Sequence, residues 1–181
     1  GFIHAKDGLT LDQVDWIKNL KNSRRGRISE AAKEFGFKYY KGKKPWGVAG
    51  ELIFPCATQN EITGDEAKTL VNHGARAVSE GANMPTTPEA VKAFSANKKL
   101  LHAPAKAANA GGVSVSGLEM SQNSLRLQWS QHEIDAQLKD IMKNIHDECV
   151  EHGTQKGGHV DYFKGANIAG FTKVANAMLA Y

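Results

Sequence analysis

Three short apolar runs decide the fold: "ELIFPCA" (Glu51–Ala57), "RAVSE" (Arg76–Glu80) and "KKLLHAPA" (Lys98–Ala105). The first is ended by Pro55, and a brief apolar run stopped by proline suits a buried strand better than a helix. Between the runs lie two helical patterns. "DEAKTLVNHGA" (Asp65–Ala75) has Gly74 near its end. "GANMPTTPEAVKAF" (Gly81–Phe94) is a loop followed by a helix start, in which Thr86 and Glu89 fit a capping box. Pro88 falls in the first turn, where its missing N–H costs nothing. Strand, helix, strand, helix, strand at this spacing predicts an α/β fold with parallel strands and right-handed crossovers. Three strands alone make a thin sheet.

On the N-terminal side, "LTLDQVDWIKNLKN" (Leu9–Asn22) places Val14, Ile17 and Leu20 at helical spacing, with Thr10 as N-cap. "ISEAAKEFG" (Ile28–Gly36) reads as a short helix capped by Ser29 and stopped by Gly36, and "KGKKPWG" (Lys41–Gly47) reads as loop. After Gly112 the pattern turns helical throughout. Ile134, Leu138, Ile141, Met142, Ile145 and Cys149 form one stripe, and Phe171, Val174, Met178 and Leu179 repeat that spacing in the tail. The expected division is 1–110, the later part of a Rossmann-like domain of alternating strands and helices, and 111–181, a C-terminal helical segment. Gly1 without a methionine, and Tyr181 inside a helical pattern, suggest the later part of a longer protein.

Length and composition narrow the class. A chain of 181 residues holds one domain, or one with an appendage, and buries roughly two-thirds of its unfolded surface. Its 41% hydrophobic and 23% charged residues are ordinary for a soluble globular protein. No apolar run approaches the ~20 residues that span a bilayer. Cys56 and Cys149 are too few for a disulfide framework, which points to a reducing cytoplasm. A formal charge of +4 permits an anionic ligand without demanding nucleic acid.

In an open parallel sheet, ligands bind outside the carboxyl ends of the strands. Here those ends run into "PCATQNE", "EGANMPTT" and "APAKAANAGG". Thr58, Gln59, Asn83 and Asn109 carry hydroxyl or amide groups that can both donate and accept. Such groups suit a neutral carboxamide, as on a nicotinamide ring, and small neighbours let a flat ring approach the backbone. Taken singly each is a tight βα loop. Three in succession at one edge imply a shared ligand, so Thr58, Asn83 and Asn109 are expected in a common crevice.

The ordered blocks "PCATQNEI", "EGANMPTT", "AANAGGV", "SGLEMSQNS" and "GANIAGFTKVANAM" resemble the C-terminal half of hexameric, NADP-type glutamate dehydrogenases, over essentially the whole chain. That resemblance implies NADP-linked, reversible oxidative deamination of L-glutamate to 2-oxoglutarate and ammonium, in a homohexamer without nucleic-acid or membrane partners. It places Ala57, Thr58 and Gln59 with Gly81, Ala82 and Asn83 at the nicotinamide–ribose end of the cofactor, and Asn109 between cofactor and substrate. Val113 and Ser116 would face the substrate side chain. The γ-carboxylate of glutamate needs donors once it leaves water, and relatives acting on aliphatic substrates are expected to be apolar at Ser116. The usual fate of a helical serine, bonding its own backbone, is the competing reading. The resemblance also implies that the catalytic lysine and aspartate lie in a substrate domain outside this chain. No catalytic residue is then expected within these 181 residues, which would be inactive alone.

Lys21, Arg24 and Arg27 in "KNSRRGR" admit two readings: a clamp for a 2′-phosphate, since guanidinium donors match phosphate geometry, or a solvated basic helix end. His146, Cys149 and His152 step along one helix like metal ligands, but Cys149 falls on the apolar stripe and no second ligand cluster is evident. No metal is expected. Cys56 reads as a buried, inert thiol, and Lys106 as structural. The family usually has glycine where this chain has Ala105, which would cost about 1 kcal/mol if that position needs positive φ. Asn176 stands where aspartate is more usual. Two rivals stay open: an NAD-linked dehydrogenase or one for aliphatic or aromatic amino acids, and a non-catalytic basic module.

Overall fold

The computed structural model describes residues 1–180, so the expected helical ending at Tyr181 lies outside the described residues. The chain forms two compact units, Gly1–Gly47 and Val48 onward. The division drawn after residue 110 falls inside the second unit.

In the first unit, helix α1 (Leu11–Asn22) starts at Thr10 as expected. Its hydroxyl accepts from the Gln13 N–H at 3.3 Å while its own N–H donates to Gln13 Oε1 at 3.0 Å, satisfying two end donors reciprocally. Helix α2 (Ile28–Phe35) corrects the cap at Ser29: the N-cap is the extended Arg27, whose N–H donates to Glu30 Oε1 at 2.6 Å. A carboxylate three residues on supplies the anchor, and Ser29 lies inside the first turn. Gly36 stops α2 in the left-handed region at φ 70°, as glycine permits. The sequence reading missed strands β1 (Phe2–His4) and β2 (Lys38–Tyr40), which pair antiparallel with Phe2 opposite Tyr40. Those two rings stack at 4.6 Å. Only three residues long, each strand shows no readable alternation, yet aromatic cross-strand pairs of this kind stabilise a ladder. Leu20 and Ala31 are fully buried, and Trp16 meets Phe35 edge-on at 5.1 Å.

The second unit contains the predicted alternation. Strands β3 (Leu52–Ile53), β4 (Ala77–Ser79) and β5 (Leu101–Ala103) form a parallel sheet in the order β3-β4-β5. Leu52 pairs with Ala77, and Ala77 with Leu101. The crossovers are α3 (Gly64–Asn72) and α4 (Pro88–Ala96), which pack on each other. Ile53, Ile62, Leu70, Val78 and Phe94 form the core, all buried. The N-cap of α4 is Thr87, not Thr86; its hydroxyl accepts from the Ala90 N–H at 3.3 Å, with Pro88 at the first helical position. Thr86 is instead buried and bonded to Glu80.

Beyond the sheet come α5 (Ala105–Ala108), α6 (Ala110–Leu125), α7 (Gln131–Gly153) and α8 (Tyr162–Leu179). Breaks near Arg126, itself left-handed at φ 54°, and at Thr154–Asp161 interrupt the run expected to be wholly helical. The α7 stripe is the less exposed face of that helix, with Cys149 buried. The α8 spacing holds, but its stripe is not packed: Phe171, Val174, Met178 and Leu179 are 60–85% exposed. The α7–α8 crossing is made by the opposite side of α8, where Gly165 and Ala166 are buried.

Glycine makes that crossing possible. A Cβ at Gly165 would strike the Cys149 carbonyl, and one at Gly153 would come within 2.5 Å of the Asp161 oxygen. Backbone cannot yield as a side-chain tip can. Gly165→Ala should therefore destabilise the chain by about 1–3 kcal/mol, whereas Gly117→Ala on α6, where nothing lies within 4 Å, should stabilise it by about 0.5–1 kcal/mol. Urea denaturation of both variants checks the sign of each change.

Candidate functional site

The two crossover loops are laced together by backbone before any side chain contributes. Ile62 forms a parallel bridge with Thr86; its N–H donates to the Pro85 carbonyl at 2.9 Å, and its carbonyl accepts from the Thr87 N–H at 3.0 Å. At the tips, the Asn60 N–H donates to the Met84 carbonyl at 2.9 Å, and both residues are left-handed, at φ 53° and 47°. Positive φ at a residue such as methionine persists only where its surroundings over-determine it. The loops are thus held open as a shaped edge of the sheet.

Inside this edge lies a cleft of about 360 Å³, lined by Cys56, Ala57, Thr58, Gln59, Gly81, Ala82 and Asn83, within the ~300–1,000 Å³ of small-molecule sites. The third strand end joins it through Asn109, whose Nδ2 donates to Asn83 Oδ1 at 2.6 Å. Residues singled out at all three strand ends therefore meet, as their positions in the sequence led us to expect. Thr58 is fixed by its N–H, which donates to Glu61 Oε2 at 3.1 Å. Gly81 has a steric reason to be glycine: a Cβ there would lie 2.5 Å from Cys56 Sγ. Its N–H and that of Ala82 both donate to the Pro55 carbonyl at 3.0 Å. Cys56 itself corrects the expectation of a buried thiol. It is exposed, because Pro55 ends the strand and turns the chain out of the sheet just before it.

Beneath the cleft is a buried group that the sequence reading passed over. Glu80, 3% exposed, closes β4 and accepts three hydrogen bonds. His102 Nε2 lies 2.6 Å from Oε1, the Thr86 hydroxyl donates to the same oxygen, and the Ala105 N–H donates to Oε2 at 2.8 Å. Burial alone pushes this carboxyl up. The bonds from His102 and Thr86, the charge of His102 and the Ala105 N–H outweigh it, holding Glu80 below the ordinary carboxylate range. His102 packs against Phe94 at 5.2 Å and Phe163 at 5.9 Å, and its Nδ1 is buried without a hydrogen-bond partner among the described residues. The signal that could have revealed Glu80 is a charged residue ending an otherwise apolar strand.

Asn109 is followed at once by α6, whose open face carries Gly112, Val113, Ser116 and Gly117. Nothing lies within 4 Å of a Cβ built on Gly112 or Gly117, and Val113 is 73% exposed. Ser114 and Ser121 bond back to the carbonyls of Ala110 and Gly117. Ser116 has no such bond among the described residues, so the usual fate of a helical serine does not account for it.

Lys21, Arg24 and Arg27 belong to the first unit and are exposed. Lys21 donates to the Gly26 carbonyl at 3.1 Å, and Arg24 lies 4.5 Å over the Trp16 ring. Ala105 is the first residue of α5 and has no positive φ, so alanine costs nothing there. Lys106 donates to Asn167 and lies 5.7 Å from the Phe163 ring, tying α5 to α8. Burial, with Glu148 nearby, pushes the Cys149 thiol up; His152 pairs with Glu148 at 3.6 Å, and His146 tilts against Tyr162. No three His, Cys, Asp or Glu residues converge as a metal site among the described residues, and no helix among them is long and apolar enough to cross a membrane. A larger groove of about 830 Å³, lined by Ile141, Cys149, Ala166 and Asn176 among others, lies along α7 and α8. Lys106 and Ala107 reach it from α5, but none of Thr58, Gln59, Asn83 and Asn109 lines it, so its size does not make it the site.

A parallel sheet whose carboxyl-end loops share one cleft defines a Rossmann-like protein of the α/β class. The model of the Glutamate/Leucine/Phenylalanine/Valine dehydrogenases matches residues 1–181, and the chain belongs to that family. It is 58% identical to a glutamate dehydrogenase of Bacteroides thetaiotaomicron and 50% identical to an NADP-specific glutamate dehydrogenase of Escherichia coli, each match covering 99% of this chain. The chain spans about 40% of the length of these curated relatives. The crystal structure of Plasmodium falciparum glutamate dehydrogenase superimposes with a TM-score of 0.93 at 43% identity, over 99% of this chain and 39% of that one. Cofactor specificities in the relatives' names include NADP, NAD(P) and NAD.

The lowered Glu80 pKa fixes a sign. A carboxyl that binds its proton less readily in the folded state adds stability that is fully present above its ordinary value of 4.5 and is lost as pH falls through the lower folded value. Native protein should therefore exceed Glu80→Gln in unfolding free energy at pH 7, with the gap narrowing toward pH 3. Urea titrations across that range measure it; a gap that widens in acid would contradict the assignment.

Proposed function

We propose that this chain is the nicotinamide-binding part of an NADP-linked glutamate dehydrogenase, which oxidatively deaminates L-glutamate to 2-oxoglutarate and ammonium. The observation carrying this reading is the meeting of three strand-end loops at one cleft, with Asn109 bonded to Asn83. The cofactor supplies the hydride acceptor. The chain's own groups fit its flat amide-bearing end: Asn83 and Asn109 offer donors and acceptors, while Ala57, Gly81 and Ala82 present little bulk beyond the backbone. Because Asn109 caps the start of α6, a ligand at the cleft would adjoin the helix that carries Val113 and Ser116. The Ser116 hydroxyl then donates to the substrate's γ-carboxylate, and Val113 packs on its methylenes. Lys21, Arg24 and Arg27 bind the 2′-phosphate. Residues 111–181 fold back toward a substrate domain that carries the catalytic lysine and aspartate. The exposed Phe171, Val174 and Met178 of α8 and the unpacked glycines of α6 support that reading, since apolar and glycine-rich helix faces left in water gain by being covered.

The intact protein, a homohexamer acting in the cytoplasm on this reading, should reduce NADP with glutamate and be far slower with leucine or valine. The isolated 181 residues should show no turnover. Ser116→Val should lower kcat/KM for glutamate by about 10–100-fold, the worth of one hydrogen bond to a charged group. A substrate panel with equal activity on leucine would overturn the assignment to glutamate.

Cofactor preference is tested separately. Replacing Arg24 and Arg27 together by glutamine should raise the KM for NADPH at least about tenfold, since each charged hydrogen bond is worth ~1.5–3 kcal/mol, and leave that for NADH nearly unchanged. Equal effects on both cofactors would refute a 2′-phosphate clamp.

A further inference from the structure

We infer that Glu80 is a positioning residue for the nicotinamide end of the cofactor, fixing Asn83 and Asn109 relative to each other without touching the ligand; the inference rests on the dehydrogenase reading above.

Glu80 stands where three pieces of the site are joined. Its backbone opens the loop Gly81–Pro85, and its side chain accepts from Thr86 at the far end of that loop, closing the loop upon itself. The second carboxylate oxygen accepts from the Ala105 N–H at 2.8 Å, gripping the first residue of α5. At the other end of that one-turn helix is Asn109, bonded to Asn83 at 2.6 Å. The same two chain segments are therefore bridged twice: once below the cleft by a buried carboxylate, once at its rim by two amides.

The rim bond is exposed to competition from water and ligand. The lower one is not, since Glu80 and His102 are 3% and 6% exposed. A buried charge with three partners is costly to displace, so the lower bridge sets the geometry and the upper one follows. His102 fixes the carboxylate from β5, at 2.6 Å, and Phe94 and Phe163 hold that ring in place. A shift of about 1 Å at the reacting groups is enough to cost roughly 10²-fold in rate.

The test uses the intact protein with Glu80→Ala, Glu80→Gln and Thr86→Val. Binding of NADPH is compared with that of 2′-phospho-ADP-ribose, which has no nicotinamide, and kcat is measured alongside; NADH and ADP-ribose form a parallel pair. Glu80→Ala should weaken NADPH about tenfold or more and lower kcat, because Asn83 and Asn109 are then misplaced and a shift of about 1 Å costs roughly 10²-fold, while 2′-phospho-ADP-ribose stays within about twofold, below the ~2.3-fold that 0.5 kcal/mol represents. Glu80→Gln keeps an acceptor for Ala105 and should recover most of the loss. Thr86→Val removes one donor and carries the same selective readout should Glu80→Ala fail to fold. Equal weakening of both ligands, or of neither, overturns the positioning role. Wild-type protein that binds neither dinucleotide overturns the dehydrogenase reading, and this inference with it.

Discussion

The parallel pairing of β3, β4 and β5, continued past the strands by the Ile62–Thr86 bridge, is the constraint from which the site follows. Parallel strands send their carboxyl ends the same way, so three loops leave the sheet on one edge. The extra bridge then holds two of those loops at ladder spacing for several residues beyond the strands. Without it, strands of only two or three residues would give little control over where their loops go.

Within that frame, small residues and buried charge do complementary work. Gly81 lets the second loop pass against Cys56, and Gly153 and Gly165 let α7 and α8 meet backbone to backbone. Glu80 supplies what small residues cannot, a specific set of acceptors that names its partners. A buried carboxylate is expensive unless fully bonded, and here each oxygen is met by a donor from a different part of the chain. The same features explain why the cleft is open. Four of its lining residues, Cys56, Ala57, Gly81 and Ala82, carry little or no side-chain bulk.

The helical half shows the opposite balance. Helix α7 half-buries one stripe, whose Leu138 and Met142 lie against Gly111 of α6 and whose Cys149 is buried beside Gly165 of α8, while α8 and α6 leave faces exposed that carry Phe171, Met178, Val113 and Ser116. Those surfaces have the composition of covered ones, and the chain that carries them matches proteins more than twice as long. On the proposed reading they are where the rest of the enzyme meets this part.

Sequence alone determined the strand–helix alternation, the caps at Thr10 and Gly36, the α7 stripe and the residues of all three strand-end loops. Each of those rests on local periodicity, a local turn or a local hydrogen bond, and such signals are written within a few neighbouring residues. Tertiary structure alone decided the rest. The β1–β2 pair was not legible, because it depends on chain brought from a distance. Capping at Thr87 in place of Thr86 turned on which of two adjacent residues faced inward, and capping at Arg27 in place of Ser29 on the Glu30 carboxylate that accepts from the Arg27 N–H. Thr86 was taken by Glu80, a partner six residues back whose own position is fixed by His102, twenty-two residues on. Propensity cannot weigh a bond whose acceptor is placed by another strand.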